Sequence, residues 1–574
     1  MFFTKQKYFF TAVFILGGVL FAAPAYADTI SFNVDPTHDS EKSETIAATS
    51  YFVGEKARWY ISDQYFTALN SAQQTNLLAD VRNVSQEFDA VIYPYERALF
   101  GSEPTPGIDN DPKIFILLSQ LIDDAGGYFR EQDGFARDVA PNSNEHEMLY
   151  LNIRYMGSPR MRAFLAHEFQ HLITFNQKRI QYGLKEDVWM NEMRSELAPT
   201  LLGYDDNYKG SNLEARVSIF LKNPVDSLLN WQNKAQDYGS VNLFGQYVLD
   251  HYGRSVIASM VENRRVGVDS FNEALRAFGF KESFSDVFTN WSIALLVNNC
   301  SYSAGIYCFL NPSLSYGAIH VPFAKPGGSG SLIDVAQTSY EWEANWFEFF
   351  TPLKAERPEK HVFHLNFDSP INSGFRIPII VYKEDGVQIR EIGQMNLAGG
   401  KGEFSREDFG FVIPRIVIIP SNQYSIGGTY GENAPRVSYN FTASLLPKLQ
   451  ELQAVSTTTA TSTDLPAGEA GPQIVQIVPQ LPDFPDGTLL RARDDYKVYI
   501  IKGPSARSGQ AYKRWIQNSK IFEFYPHLSF DAVKVVEQST LALYKDSYLV
   551  RKDGDSKVYE INGDGTRHWL DMTP

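Results

Sequence analysis

A chain of 574 residues that contains only two cysteines, Cys300 and Cys308, is not a cysteine-stapled scaffold. No other cysteine and no histidine cluster surrounds that pair, so it does not read as a metal site. In an oxidising compartment two cysteines this close would form one local disulfide; the alternative is a pair of buried thiols. Basic charge is also short. Lys and Arg number 52 against 67 Asp and Glu, a formal net charge of −15, which excludes the basic face that phosphate binding needs and therefore a nucleic-acid partner. The same balance gives no attraction to an anionic membrane surface. After residue 27 no run is long and apolar enough to span a bilayer.

What is present is folded material, 44% hydrophobic and 14% aromatic. The length exceeds one core and suggests about three or four units. Residues 1–27 read as an export signal: Lys5 and Lys7, an apolar stretch from Phe9 to Ala23, then Ala25-Tyr26-Ala27 as a small-x-small cleavage site. The competing reading is an uncleaved anchor, which the short stretch and Pro24 disfavour. The expected location is outside the cell or on its surface.

From Asp28 to about residue 155, strand-like runs (Arg58–Ile61, Lys113–Leu118, Met148–Ile153) alternate with turns, and a helical pattern lies from about Thr67 to Ala90. Helical periodicity dominates from Ser158 to about Asn299. Residues 340–446 alternate with period two, as in Trp342-x-Ala344-x-Trp346 and Phe363-x-Leu365-x-Phe367, which argues for a β-sandwich. Residues 447–486, with Ser456-Thr457-Thr458-Thr459 and several prolines, read as a linker. The last segment repeats itself. Arg491 through Lys497-Val498-Tyr499-x-Ile501 returns as Arg551 through Lys557-Val558-Tyr559-x-Ile561, and Tyr512–Ile516 returns as Thr566–Leu570. Two copies of a small aromatic β-unit are expected. Their Lys, Arg and Trp would contact a cell-envelope polymer, or the unit would only space or cap the rest.

The chemistry concentrates in Ala166-His167-Glu168-Phe169-Gln170-His171. Ser158 suits a helix N-cap and Pro159 the first helical position. On that helix His167 and His171, four residues apart, project from one face and can share one zinc ion, while Glu168 reaches a water activated there without binding the metal. A third ligand must arrive from elsewhere. Trp189-Met190-Asn191-Glu192-Met193-Arg194-Ser195-Glu196 offers one, with Glu192 and Glu196 again four apart. One carboxylate can bind metal and the other accept the free N–H of a ligand histidine. With ten histidines in the chain, a chance HExxH arises in about one chain in a hundred, and the added Asn-Glu-x-x-x-Glu lowers the accidental reading further.

These residues resemble the gluzincin clan of zinc metallopeptidases, most nearly the hyicolysin-like peptidases. The resemblance covers roughly residues 50–300. Gly126-Gly127-Tyr128-Phe129 looks like the clan's substrate-edge strand, Glu147–Tyr150 like the strand beside it, and Asp237-Tyr238-Gly239 like a helix start bearing a catalytic tyrosine. It implies His167, His171 and Glu192 as zinc ligands, Glu168 as general base, Glu196 as partner of His167, and Tyr238 as oxyanion donor. Gly127, Tyr128 and Phe129 would bind substrate. Tyr247, Tyr252 and His251 remain rival donors, and packing remains a rival role for Tyr238; His320 has no assigned role. Met193 departs from the small residue frequent in relatives, and Pro199 would kink or end the ligand helix. The aminopeptidase signature is absent at the expected edge, since Met260-Val261-Glu262-Asn263 falls after the site; this favours an endopeptidase on protein or peptide substrates. Asp109-Asn110-Asp111 could contribute to a Ca²⁺ site or be a turn.

The expected architecture is therefore multidomain. A signal (1–27) precedes an α+β, gluzincin-like metallopeptidase domain with a mixed β-sheet half and a helical half (28–310). A β-sandwich (311–446), the linker (447–486) and a β-rich two-copy module (487–574) follow. The rival functional class is a surface adhesion or scaffold protein with an inactive metallopeptidase-like domain.

Overall fold

The computed structural model describes residues 28–314 except 124, then 323–326, 332–350, and 361–447 except 411 and 424–434, and shorter stretches between 484 and 570. The expected signal, the linker from 448 to 483 and His320 lie outside the described residues. The chain divides into two compact units at 453/454.

The first unit opens with strands β1 (Thr29–Asn33), β2 (Thr45–Val53) and β3 (Ala57–Ser62), and helices α1 (Asp63–Ala68), α2 (Ser71–Glu87) and α3 (Tyr93–Phe100). Strands β4 (Ile114–Ser119), β5 (Gly127–Tyr128) and β6 (Met148–Asn152) complete a sheet in the order β1-β2-β3-β4-β6-β5. The three expected strands are its parallel centre, β3, β4 and β6. Alternation explains the layering. Trp59, Ile61, Ile116, Leu118, Leu149 and Leu151 face the helices, while Tyr60, Phe115, Leu117, Met148 and Tyr150 build a second core on the opposite face. The short β5 lies at one end of the sheet, antiparallel to β6.

Helices α4 (Arg160–Thr174), α5 (Val188–Leu201), α6 (Asn212–Lys222), α7 (Ala235–Tyr252), α8 (Arg254–Glu262), α9 (Gly267–Ala277) and α10 (Phe284–Val297) follow. The start of α4 differs from expectation. Pro159, not Ser158, stands at the cap, and the Ser158 hydroxyl turns back to the Tyr155 carbonyl at 2.7 Å. Pro159 has helical torsions there, so its fixed φ serves the helix one position earlier than at N1. Pro199 sits in the last turn of α5 and does not stop the helix before Leu201.

Next come β7 (Phe323–Pro326), β8 (Leu332–Ser339), β9 (Phe347–Phe350), β10 (His361–Asp368), β11 (Phe375–Arg376), β12 (Pro378–Tyr382), β13 (Ile389–Gln394), β14 (Lys401–Glu407), β15 (Arg415–Ile418), β16 (Ser421–Asn422) and β17 (Val437–Pro447). They form sheets β14-β10-β17-β8 and β13-β12-β15-β9-β7, with β11 and β16 a small pair. Phe363, Leu365, Phe367, Tyr439, Phe441, Ala443 and Leu445 fill the core between them, as the period-two pattern requires. Trp342, Ala344, Trp346, Ile380, Tyr382 and Val417 belong instead to the core of the helices, so one hydrophobic core runs from the helical half into the sandwich.

In the second unit, β18 (Leu489–Ala492), β19 (Val498–Lys502) and β20 (Tyr512–Ile516) form one antiparallel meander, with β21 (Lys534–Val536) parallel to β18. Strands β22 (Lys545–Arg551), β23 (Val558–Asn562) and β24 (Arg567–Leu570) form another. The repeated sequences fall on β19 and β23, and on β20 and β24. The protein is thus a multidomain α+β chain. No helix among the described residues is long and apolar enough to cross a membrane.

Candidate functional site

Helix α4 buries Leu165, Ala166, Phe169, Leu172 and Ile173 against the sheet, which leaves the face carrying His167 and His171 turned toward α5. The two Nε2 atoms lie 3.1 Å apart. Glu192 on α5 places Oε2 3.3 Å from the first and 3.5 Å from the second. Three ligand atoms at roughly 2.0–2.1 Å from a tetrahedral ion stand about 3.3 Å from one another, so this triangle has the dimensions of a zinc site. Among the described residues it is the group of His, Cys, Asp and Glu side chains able to hold an ion. Glu192 Oε2 is buried with no hydrogen-bond partner, an orphaned acceptor of the kind an ion would satisfy. Burial alone would raise the Glu192 carboxyl, but His171 and His167 hold it well below the ordinary range.

The outer nitrogens are oriented by residues behind them. His171 Nδ1 lies 3.1 Å from Ser195 Oγ, and that hydroxyl donates to Gln170 Oε1 at 2.6 Å. With its proton so used, Ser195 accepts from Nδ1–H, which leaves the Nε2 lone pair facing the triangle. His167 Nδ1 lies 3.5 Å from Glu196 Oε1. Glu196 is fully buried and held by Arg216, whose Nε and Nη2 contact the two carboxylate oxygens at 2.9 and 2.7 Å. Asn212 and Asn242 add donors to Oε2 at 2.9 and 3.1 Å. Burial opposes ionisation of Glu196, yet Arg216 and His167 keep its carboxyl below the usual value. Arg216, Asn212, Asn242, Ser195 and Gln170 were not among the expected site residues. Asn212 and Arg216 are four apart on α6, a signal of a polar helix face that carries no hint of where that face docks.

Glu168 is 5% exposed, and burial pushes its carboxyl up to about 8, with His171 opposing and Glu192 and Glu196 reinforcing. The strand β5 comes up against it. A Cβ at Gly127 would stand 2.8 Å from Glu168 Cγ and 2.7 Å from the Tyr150 carbonyl oxygen, so this strand position excludes any side chain. Tyr128 packs inward on Tyr150, with ring centres 4.3 Å apart, and Phe129 leaves the strand to lean on Phe175 at 5.6 Å. Glycine 127 is therefore the part of the expected edge that meets Glu168.

Tyr238, in the first turn of α7, lies where Glu192, Arg216, Glu196 and Glu168 act on its hydroxyl; burial is the first cause that drives its ionisation far up. The Arg216 guanidinium stands 4.8 Å from its ring centre, and its hydroxyl lies 3.3 Å from Asn233 Oδ1. The rivals sit elsewhere. Tyr247 donates to the Ile306 carbonyl at 2.8 Å, His251 Nε2 meets the Cys308 carbonyl at 2.8 Å, and the buried Tyr252 packs on Phe280. Tyr247 and His251 thereby hold the loop closed by a Cys300–Cys308 disulfide.

Met193 is fully buried, and α7 offers Gly245 opposite it, where a Cβ would stand 3.1 Å from Met193 Cγ. The bulk that departs from the family pattern is thus absorbed by a glycine on the facing helix. At Asp109 and Asp111 the carboxylate oxygens already have partners: Asp111 N, His146, Lys113 N and Arg58. That pairing describes a turn and gives the calcium reading no support.

No family model matches the chain. Over 295 residues it is 24% identical to the neutral metalloprotease ShpI of Staphylococcus hyicus, an alignment that covers 47% of this chain and 62% of that protein. The match thus spans less than two thirds of the relative. Among solved structures, Legionella pneumophila aminopeptidase A in complex with aspartic acid is 10% identical, covering 68% of this chain and 36% of that chain at a TM-score of 0.25. The Yersinia pseudotuberculosis-derived mitogen is 8% identical, covering 23% of this chain and 99% of that one at a TM-score of 0.14. Scores this low carry no argument. The likeness to a metalloprotease and the His167–His171–Glu192 cluster point to the same class.

Proposed function

We propose that this chain is a zinc-dependent endopeptidase, exported to the cell exterior or surface, that hydrolyses protein substrates. The observation that carries the proposal is the triangle of His167, His171 and Glu192 atoms, 3.1 to 3.5 Å on a side, with Glu168 on the same helix. A zinc ion there would serve as a Lewis acid toward a water molecule and the carbonyl of the bond to be cut. Glu168 takes the proton as the water attacks and delivers it to the leaving amine. Tyr238 donates a hydrogen bond to the developing oxyanion. Glu196 and Ser195 keep the two imidazoles in the orientation and tautomer that present Nε2.

An extended peptide would pair with the β5 edge, which supplies backbone hydrogen bonds and little demand for particular side chains. At Gly127 the absent side chain lets a bound backbone approach Glu168. In the second unit Trp515 is 40% exposed, with Lys497 Nζ 5.1 Å from its ring centre, a pair suited to a cell-envelope polymer. Glu168→Gln should retain zinc and the fold yet lose casein cleavage, which the parent should also lose to a chelator and regain with zinc. A Glu168→Gln chain that still cleaves casein removes the assigned base.

A further inference from the structure

The loop between α6 and α7 leads directly to Tyr238, and its own helices do not hold it alone. Ser227 Oγ donates to the Glu341 carbonyl at 2.6 Å, and Leu228 N donates to the Trp342 carbonyl at 2.9 Å. Ser227 also forms an isolated β-bridge with Glu343. Farther along, the Tyr340 hydroxyl is held below its ordinary range first by Arg436 and more weakly by the nearby Gln232 side chain. The four sandwich-side residues, 340–343, belong to the segment between β8 and β9.

The joint is built at a cost. Trp342 has φ +55°, a left-handed backbone that a bulky L-residue keeps only when its surroundings demand it. Its N–H donates to the Asn422 carbonyl at 2.7 Å, and its ring lies between Phe284 at 4.6 Å and Phe288 at 5.4 Å. This conformation turns the Trp342 carbonyl toward Leu228. Inside the loop, Ser227 Oγ accepts from Asn230 N at 3.0 Å, and Asp237 Oδ2 accepts from Gln232 N and Lys234 N at 2.9 and 2.7 Å. Trp231, between those two anchors, meets the Tyr238 ring edge-on at 4.8 Å.

We propose that segment 340–343 of the β-sandwich is a positioning element of the active centre, which through Ser227 and Leu228 holds the loop that sets Tyr238. This rests on the role given to Tyr238 above. The sandwich is then part of the catalytic apparatus without touching substrate. Its contribution is the placement of one hydroxyl.

The test uses the full chain with zinc. Ser227→Ala should lower kcat about tenfold while KM and zinc affinity stay within about twofold, because a misplaced donor weakens only interactions made in the transition state. Ser227→Thr, which keeps a hydroxyl, should recover most of the loss. In a Tyr238→Phe background Ser227→Ala should cost less than about twofold, since both changes remove the same interaction. Backbone hydrogen exchange should accelerate across 223–238 and stay unchanged in α4 and α5. Gln232→Met, at a half-buried position, should move kcat and exchange in the same direction and serves if Ser227→Ala does not fold. An unchanged kcat, an equal loss in both backgrounds, or unaltered exchange across the loop overturns the proposal. Casein cleavage by Glu168→Gln would instead overturn the site reading, and the exchange result would still decide whether the sandwich holds the loop.

Discussion

Arg216→Met is the sharpest probe of how the proposed metal site is held. The substitution keeps a long apolar stem and removes the fork that contacts both oxygens of Glu196 at 2.9 and 2.7 Å. Glu196 is left buried beside two neutral amides and His167. Breaking a buried ion pair by deleting one partner costs about 3–5 kcal/mol. Arg216 is 20% exposed, so water takes over part of its role, and a loss of about 2–3 kcal/mol is expected. A second effect follows. Without Arg216 the burial of Glu196 is no longer offset, its carboxyl takes up a proton more readily, and it becomes a poorer acceptor for His167 Nδ1–H. Loss of such a supporting partner weakens metal binding about 10- to 100-fold. Urea unfolding of the metal-free chain and a competitive zinc titration measure the two effects separately. Glu196→Gln in the same chain should restore part of the stability, because no lone charge then remains. If Arg216→Met unfolds within about 0.5 kcal/mol of the parent and binds zinc equally well, the pair does not hold the site.

Two further outcomes follow from close approaches. Gly127→Ala would place a methyl 2.8 Å from Glu168 Cγ and against the Tyr150 carbonyl; cleavage should fall at least about tenfold with zinc content unchanged, read by kinetics and metal analysis. Glu147 is buried beside the turn at Gly107, and desolvation, with the nearby charges of Asp109 and Glu103, pushes its carboxyl from the ordinary 4.5 up to about 7. A carboxyl raised by folding favours the native state below its unfolded value and loses that contribution as pH climbs through the folded one. The parent should therefore lose on the order of 3 kcal/mol between about pH 4.5 and 7 from this group, and Glu147→Gln should lack that part of the slope in pH-dependent denaturation.

The cluster of His167, His171 and Glu192 was legible because helical spacing is local. His167 and His171, like Glu192 and Glu196, are four apart, and the sequence alone puts each pair on one face. What could not be read from spacing was which of Glu192 and Glu196 joins the two imidazoles, since that depends on which carboxylate meets Arg216. That residue arrives on α6, whose docking is set by packing remote from the motif. The sandwich strands could be read from period-two alternation in Phe363–Phe367 and Tyr439–Leu445. The parallel order of β3, β4 and β6 could not, because apolar runs buried on both faces carry no pairing information. Tyr238, Tyr247 and Tyr252 lie on one helix and are alike in sequence; tertiary contacts tell them apart, Arg216 at Tyr238, the Ile306 carbonyl at Tyr247 and Phe280 at Tyr252. The Ser158 cap failed for a local reason, as its hydroxyl found the Tyr155 carbonyl first.

The apolar core that continues from α10 through Trp342 and Trp346 into the sandwich has a thermodynamic consequence. Helices and sandwich share that core, so a loss of packing in either half is expected to lower the stability of the other. On the proposed peptidase reading, damage to a sandwich strand far from the histidines would lower the population of chains in which His167, His171 and Glu192 stand together, and selection on activity would reach residues remote from that triangle.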